Sequence, residues 1–348
     1  MDDLYSFGKY RYIPAEPLKR SIFRTAKNLL LVLFATVKCT VLGVFILIKS
    51  LILFIIPRFS KDIQNQVALI TGGANGIGRA IGIEMAKCGC NVAIADVDIE
   101  GALDTVEELH LMGVKAFAYE VDVANYEEIV ALKEKIKADL GDVDILINNA
   151  GLLPRVSLLQ ANPEDILRIV KVNLIGYFWT IRVFLPGMIA RQRGHIVSIA
   201  SILAQETTCR AIAYSSTKFG VRGLMDGLYD LVRLDNHKIN VTTVFPPLTN
   251  TRKDFIETFI AHGGLNPASE LTFYTPQEVA DATVDGILKN KQYVSIPSVM
   301  KRMITFLNLL PEEFQNLIRD NFKPNVGPAI NDPKPKSTHY MIDNNGTK

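Results

Sequence analysis

Two kinds of hydrophobic patterning succeed one another along the chain. From Leu29 to Ile56 the residues read LLLVLFATVKCTVLGVFILIKSLILFII, apolar all round and interrupted only by Lys38, Lys49 and a few small polar residues. As one helix at ~1.5 Å per residue this run reaches about 42 Å, longer than the ~30 Å hydrocarbon core of a bilayer. Beyond residue 62 the pattern changes to short apolar runs of strand length: Gln66–Thr71 (QVALIT), Asn91–Ala95 (NVAIA), Ala116–Val121, Val143–Ile147, His195–Ile199 and Ile239–Phe245. Between the first two, Ile77, Ile81, Met85 and Ala86 recur at helical spacing. Strands alternating with helices predict an α/β unit built on a doubly wound parallel sheet. Further on, Phe255, Ile256, Phe259 and Ile260 are spaced for one apolar helix face, and residues 299–322 (VMKRMITFLNLLPEEFQNLIRDNF) form a second apolar, partly basic stretch. From Lys323 onward Pro, Asn, Lys and Gly dominate, which predicts a disordered tail. The expected organisation is therefore a basic N-terminus with an apolar anchor (1–61, anchor 29–56), a catalytic unit (62–300), an apolar helical extension (301–322) and the tail (323–348).

Charge sharpens that division. Over all 348 residues the net charge is +2, but residues 1–61 hold ten basic side chains against three acidic ones, a net of +7, and the remainder is at −5. No overall basic field argues for nucleic acid, so no nucleic-acid partner is expected. With 48% hydrophobic and 21% charged residues, whole-chain disorder is excluded. Cys39, Cys88, Cys90 and Cys209 make neither a disulfide framework nor a zinc spacing, so no metal is expected and a cytosol-facing compartment fits.

Lys27, Lys38 and Lys49 are each eleven residues apart, and Arg20 falls on the same line. At ~100° per residue that step drifts by only about 20°, which draws a basic stripe along an apolar cylinder. Such a helix suits the headgroup boundary, or a bent path whose lysines snorkel. A straight span from Leu29 to Ile48 puts Lys38 near mid-bilayer, at a cost of roughly 2.5–3.5 kcal/mol. Basic flanks at Lys19, Arg20, Arg24 and Lys27 outnumber Arg58 and Lys61, so a single span would send the rest of the chain to the lumen. A catalytic unit that needs a cytosolic cofactor therefore favours a monotopic or hairpin anchor. No signal peptide is expected, because the run is too long, starts late and has no small-residue cleavage site before Pro57.

The first strand runs into Thr71-Gly-Gly-Ala-Asn-Gly-Ile-Gly78 and then a helix. Gly72 permits the tight turn, Gly76 lets backbone approach a pyrophosphate, and Gly78 allows close helix packing, with the helix N-terminus facing the anion. The second strand ends at Asp96, eighteen residues after Gly78, placed to accept hydrogen bonds from ribose hydroxyls and to repel a 2′-phosphate. Asn75 stands where a basic residue would serve a phosphate, so NAD is expected over NADP. The third strand ends at Asp122 and Val123, at the adenine edge.

Further along come Asn148-Asn-Ala-Gly151, Asn173 in a helical stretch, Ser201 after a strand, and Tyr214 with Lys218 four residues on. The last spacing puts a phenol and an ammonium on one helix face, and a nearby cation lowers a tyrosine pKa towards the range of a general base. Together with the glycine turn, this ordered set resembles the short-chain dehydrogenase/reductase superfamily over roughly residues 62–300. The resemblance implies a Rossmann-type sheet of about seven strands. It implies Tyr214 as the acid/base, Lys218 as the group that lowers its pKa and holds the nicotinamide ribose, Ser201 on the substrate oxygen, and Asn173 anchoring a water to Lys218. Thr71, Gly72, Asn75, Gly76, Ile77 and Gly78 would cradle the cofactor, Asn149, Ala150 and Gly151 would border the adenosine, and Thr251 would contact the carboxamide.

One departure stands out: Pro246-Pro247 follows the strand Ile239–Phe245 where the family usually has Pro-Gly. A proline fixes φ and donates no hydrogen bond, so the backbone beside the nicotinamide must differ locally. A similar glycine loss, the apolar N-terminus and the phrase FLPGMIARQRGHIVSIAS resemble the membrane-associated branch containing epidermal retinol dehydrogenase and the lipid-droplet 17β-hydroxysteroid dehydrogenases. The expectation is hydride transfer between NAD and a lipophilic alcohol or carbonyl, such as a retinoid, steroid or fatty alcohol. The enzyme would work at the endoplasmic reticulum membrane or a lipid-droplet surface and face the cytosol. In that branch the apolar segment after Thr251 would cover the substrate, and residues 299–322 would meet the membrane or a second subunit in a homodimer. The rival expectation is a membrane-surface binding or scaffold protein on a dehydrogenase fold.

Overall fold

A computed structural model of the chain describes residues 22–55, 59–153, 158, 161–207, 211–251 and 273–322. It divides into two compact units, Met1–Arg58 and Phe59–Lys348.

The first unit contains one helix, α1 (Ile22–Ile55), which begins seven residues before the apolar run. Its 34 residues reach about 51 Å. The window Asn28–Ile46 has a mean hydropathy of 2.5 and none of it is buried. Thr36 and Thr40 donate their hydroxyls to the carbonyls of Val32 (2.8 Å) and Thr36 (2.9 Å), so these polar groups are satisfied inside the helix. Lys38 and Lys49 are both exposed.

The second unit is built on a seven-stranded sheet. Its strands are β1 (Val67–Thr71), β2 (Asn91–Asp96), β3 (Ala116–Glu120), β4 (Ile145–Asn148), β5 (Gly194–Ile199), β6 (Ile239–Phe245) and β7 (Tyr293–Ser295). The order is β3-β2-β1-β4-β5-β6-β7, and every pair is parallel. Successive side chains on a strand point to opposite faces, and the central strands are apolar at both, as strands covered on two sides must be. On one face Leu69, Leu146 and Ile196 pack with residues of α4 (Tyr126–Asp139), α6 (Gly176–Arg191) and α7 (Ile212–Leu234). On the other, Ile70, Ile94, Ile147 and Val197 pack with residues of α2 (Gly76–Lys87), α3 (Ile99–Leu111) and α8 (Pro276–Leu288). The helix α5 (Pro163–Val170) passes into α6 through a π turn, Lys171–Ile175. Two further helices follow β7, α9 (Ser298–Leu307) and α10 (Glu312–Phe322).

Strand β4 begins two residues later than the apolar run suggests. Asp144 is buried and accepts from the Val67 N–H (3.3 Å) and from Arg193 (Nε 3.0 Å, Nη2 2.6 Å), so its side chain, not a ladder of apolar residues, opens the strand. At the same edge Lys61 donates its backbone N–H to Leu288 O (2.9 Å), and its Nζ lies 2.8 Å from His195 Nδ1. Burial lowers the Lys61 pKa to about 8 and holds His195 well below its usual range. The opposite, carboxyl-terminal edge gathers the glycine turn, Asp96, Asp122, Asn149, Ser201 and Pro246. The strand order reverses between β1 and β4, which opens a crevice there. The apolar segment 252–272, Cys209 and the tail from Lys323 lie outside the described residues.

Candidate active site

The glycine turn is held in a shape that only glycine permits at two points. Gly72 has φ +68°, and a Cβ on Gly78 would lie 2.1 Å from the Gly72 carbonyl oxygen and 2.6 Å from Asn149 Nδ2. Asn149 fixes this approach by donating its amide to the carbonyls of Thr71 (3.1 Å) and Gly72 (2.7 Å). Thr71 answers by accepting the N–H groups of Asn149 (3.1 Å) and Ala150 (3.2 Å) on its hydroxyl. Thr71, Asn149 and Ala150 thus stitch the turn to the end of β4. Asn75 and Ile77 keep part of their surface open, and Thr251 sits across from Gly76, where a Cβ would meet its own at 3.1 Å.

Asp96 closes the turn from the neighbouring strand. Its carboxylate accepts the Ala74 N–H (2.9 Å) and the Asp98 N–H (3.1 Å), and burial raises its pKa against these bonds. Lone pairs remain for a further donor. Asp122 is exposed and accepts the Ala124 N–H (2.9 Å), while Val123 is buried against the start of α6, beside Gly176. The bare backbone of the turn, the α2 N-terminus behind it and the acceptor at Asp96 fit a nicotinamide dinucleotide: phosphates against the turn, ribose at Asp96.

The second cluster lies at the ends of β5 and β4. Ser201 follows β5 in extended backbone; its Oγ accepts the Leu203 N–H (3.1 Å), and its hydroxyl favours the ionised form of the Tyr214 phenol. One helical turn along α7, Lys218 donates from Nζ to the Ile199 carbonyl (2.8 Å), and Nζ is 5.6 Å from the Tyr214 ring centre. Asn173 sits in the π turn with no exposed surface, and its amide pairs both ways with the Leu152 backbone, accepting the N–H at 2.7 Å and donating to the carbonyl at 2.8 Å. A Cβ on Gly151 would be 3.5 Å from Asn173 Oδ1 and 3.6 Å from Lys218 Nζ, so Gly151 lies between them.

Ionisation in this cluster differs from the simple expectation of a lysine lowering its neighbour's pKa. Burial raises Tyr214 to about 12, against the bond from Ser201, and burial lowers Lys218 to about 7. Desolvation disfavours charge on both and outweighs their mutual effect. Reading the sequence also passed over Tyr177. It is four residues after Asn173 and buried, and it donates its hydroxyl to the same Ile199 carbonyl (3.2 Å).

Beside Tyr214 is a recess lined, among the described residues, by Leu158, Ala161, Ile166, Ile169, Ala211, Ala213 and the acid Asp165. Past β6, the Pro246 carbonyl accepts the Ile202 N–H (2.9 Å), Thr249 donates to Pro247 O (2.9 Å), and Thr249 forms a parallel bridge with Tyr274. The double proline therefore leaves carbonyl acceptors in place and is braced from both sides.

Residues 66–255 match the family described as short chain dehydrogenase. Human 17-beta-hydroxysteroid dehydrogenase 13 is 34% identical over 267 residues, covering 76% of this chain and 86% of the relative. Mouse estradiol 17-beta-dehydrogenase 11 is 31% identical over 274 residues, covering 78% and 89%. Among solved structures, a short chain dehydrogenase/reductase from Burkholderia phymatum in complex with NAD superposes with a TM-score of 0.64 at 22% identity, covering 77% of this chain and 98% of that one. A metagenomic short-chain oxidoreductase in complex with NADP gives 0.56 at 25% identity, covering 68% and 98%.

Proposed function

The chain belongs to the short-chain dehydrogenase family and is an oxidoreductase, and we propose that it oxidises a lipophilic alcohol to its aldehyde or ketone with NAD at a membrane surface. The observation that carries this reading is Lys218 Nζ, pinned by the Ile199 carbonyl at 2.8 Å and 5.6 Å from the Tyr214 ring centre, with Ser201 favouring the phenolate. When bound, the oxidised nicotinamide supplies the hydride acceptor and a positive charge near the phenol. Ser201 orients the substrate oxygen. Tyr214 Oη takes the hydroxyl proton as the carbinol carbon gives up its hydride and the C–O bond becomes a carbonyl. Lys218 in its charged form favours the phenolate, and Asn173 holds the loop at Leu152, whose neighbour Gly151 lies beside Lys218. In the reverse direction the phenol returns the proton.

Within the class of retinoid, steroid and fatty alcohols, a steroid alcohol is supported by the names of the two relatives, and the residues beside Tyr214 are mostly aliphatic. NAD is favoured because the Asp96 carboxylate stands at the turn, and Arg79, the basic residue next to the turn in sequence, is paired with Glu108. A 2′-phosphate would meet a carboxylate there. Membrane attachment, at the endoplasmic reticulum or a lipid droplet with the catalytic unit towards the cytosol, is supported by the exposed apolar face of α1. The test is turnover by the purified full chain in detergent with NAD or NADP and a panel of retinoid, steroid and fatty alcohols. NAD reduction with at least one alcohol is expected, falling about 10²–10⁴-fold in Tyr214→Phe. No reduction of either cofactor, or an undiminished Tyr214→Phe, would refute the reading.

A further inference from the structure

Tyr177 is 1% exposed and stands at the head of α6, immediately after the π turn that carries Asn173. A buried tyrosine needs an acceptor for its hydroxyl, and many carbonyls would serve. The one it uses is Ile199 O, which also accepts from Lys218 Nζ; the two donors approach at 3.2 Å and 2.8 Å. The same ammonium lies 5.4 Å from the centre of the Tyr177 ring and 5.6 Å from that of Tyr214, within the ~6 Å over which a ring face attracts a cation.

We infer that Tyr177 is a positioning residue for Lys218: its ring face, and the Ile199 carbonyl that both groups share, hold the ammonium between two aromatic rings and beside the Tyr214 phenol. Among the described residues, the groups that face Lys218 are Tyr177 from α6, Tyr214 from α7, the Ile199 carbonyl at the end of β5, Asn173 from the π turn and Gly151 from the loop after β4. Of these only the two phenols titrate. Among the described residues burial alone moves Lys218 from its usual range, and no carboxylate offsets it. The rings and the carbonyl are therefore what favours the charged lysine, and the charged lysine is what favours the Tyr214 phenolate. This inference rests on the dehydrogenase reading above.

The test compares pH profiles of kcat/KM for alcohol oxidation in the full chain, for wild type, Tyr177→Phe and Tyr177→Leu, with thermal unfolding measured beside each. Loss of the ring in Tyr177→Leu should move the acid limb up by about one pH unit, with kcat at neutral pH down about 10-fold, whereas Tyr177→Phe keeps the ring and leaves the Ile199 carbonyl wholly to Lys218, so its acid limb should stay within about 0.3 unit of wild type. KM for the alcohol should stay within about 2-fold, because neither change touches the recess. A Tyr177→Leu profile that superimposes on wild type, with activity lost only as far as Tm is lost, would overturn the inference and leave Tyr177 as packing. If Tyr177→Leu does not fold, Tyr177→Met, which also lacks the ring, decides by the same criterion. A wild-type chain that oxidises no alcohol overturns the dehydrogenase reading and this inference with it; a working wild type whose acid limb ignores Tyr177 overturns this inference alone.

Discussion

Burial governs the ionisation of the central pair, and stability should record it. Lys218 titrates near 7 in the folded chain and near 10.5 when unfolded. Between those values the unfolded state binds more protons, so this residue makes stability rise with pH and its full penalty is felt below about 7. Lys61, at about 8, acts with the same sign in an overlapping window. Lys218→Met should therefore flatten the rise of Tm between about pH 7 and 10 without removing it, and should abolish turnover. An unchanged slope would show that Lys218 is not desolvated. At Asp96, replacement by Ala removes a charged acceptor, and hydrogen bonds to charged groups carry about 1.5–3 kcal/mol. NAD kcat/KM should fall about 10–100-fold while NADP gains, as read from initial rates with both cofactors. The placement of Tyr214 beside Lys218 and of Asp96 beside the glycine turn was legible in the sequence, because it follows from spacing along one helix and from the end of one strand. Tyr177 was not, because its partner is a backbone carbonyl on another element, and only the π turn brings the two together.

The elements explain which parts of the crevice tolerate change. The turn between β1 and α2 exists because Gly78 has no side chain to drive against the Gly72 carbonyl, so Gly78→Ala must push the two apart. Overpacking of this kind costs about 1–3 kcal/mol, and cofactor affinity by calorimetry should weaken at least ~10-fold. Gly223→Ala is the matched control: it lies within α7 with nothing inside 4 Å of an added Cβ. It should raise stability by about 0.5–1 kcal/mol with affinity unchanged. Alternation of short apolar runs with helices predicted this layer order, and the parallel seven-stranded sheet agrees with it. The start of β4 was misplaced because Asp144, read as part of an apolar run, is an acceptor for Val67 and Arg193. The double proline after β6 is visible in the sequence, but its bracing by Ile202, Thr249 and Tyr274 is not, because it depends on contacts far apart in sequence.

At the scale of the whole molecule the charge division matters most. A net of +7 before residue 62 and −5 from it onward separates a segment suited to anionic or interfacial lipid from a mildly acidic enzyme. In α1, Leu30, Phe34 and Phe45 are each more than 60% exposed. Replacing these three by Asp in the full chain should abolish co-flotation with phospholipid vesicles, while wild type floats; equal flotation of both would remove α1 as the anchor. A tag at either end should be open to protease from the cytosol if the anchor is monotopic. The most direct measurement follows the transferred hydrogen itself. The purified full chain is given NAD and a retinol or steroid alcohol deuterated at the carbinol carbon, with Tyr214→Phe alongside. Deuterium should appear in the reduced cofactor for wild type, at a rate about 10²–10⁴-fold above that of the variant. Reduced cofactor without the label, label transfer that ignores Tyr214, or no reduction by any lipophilic alcohol would contradict hydride transfer at this site.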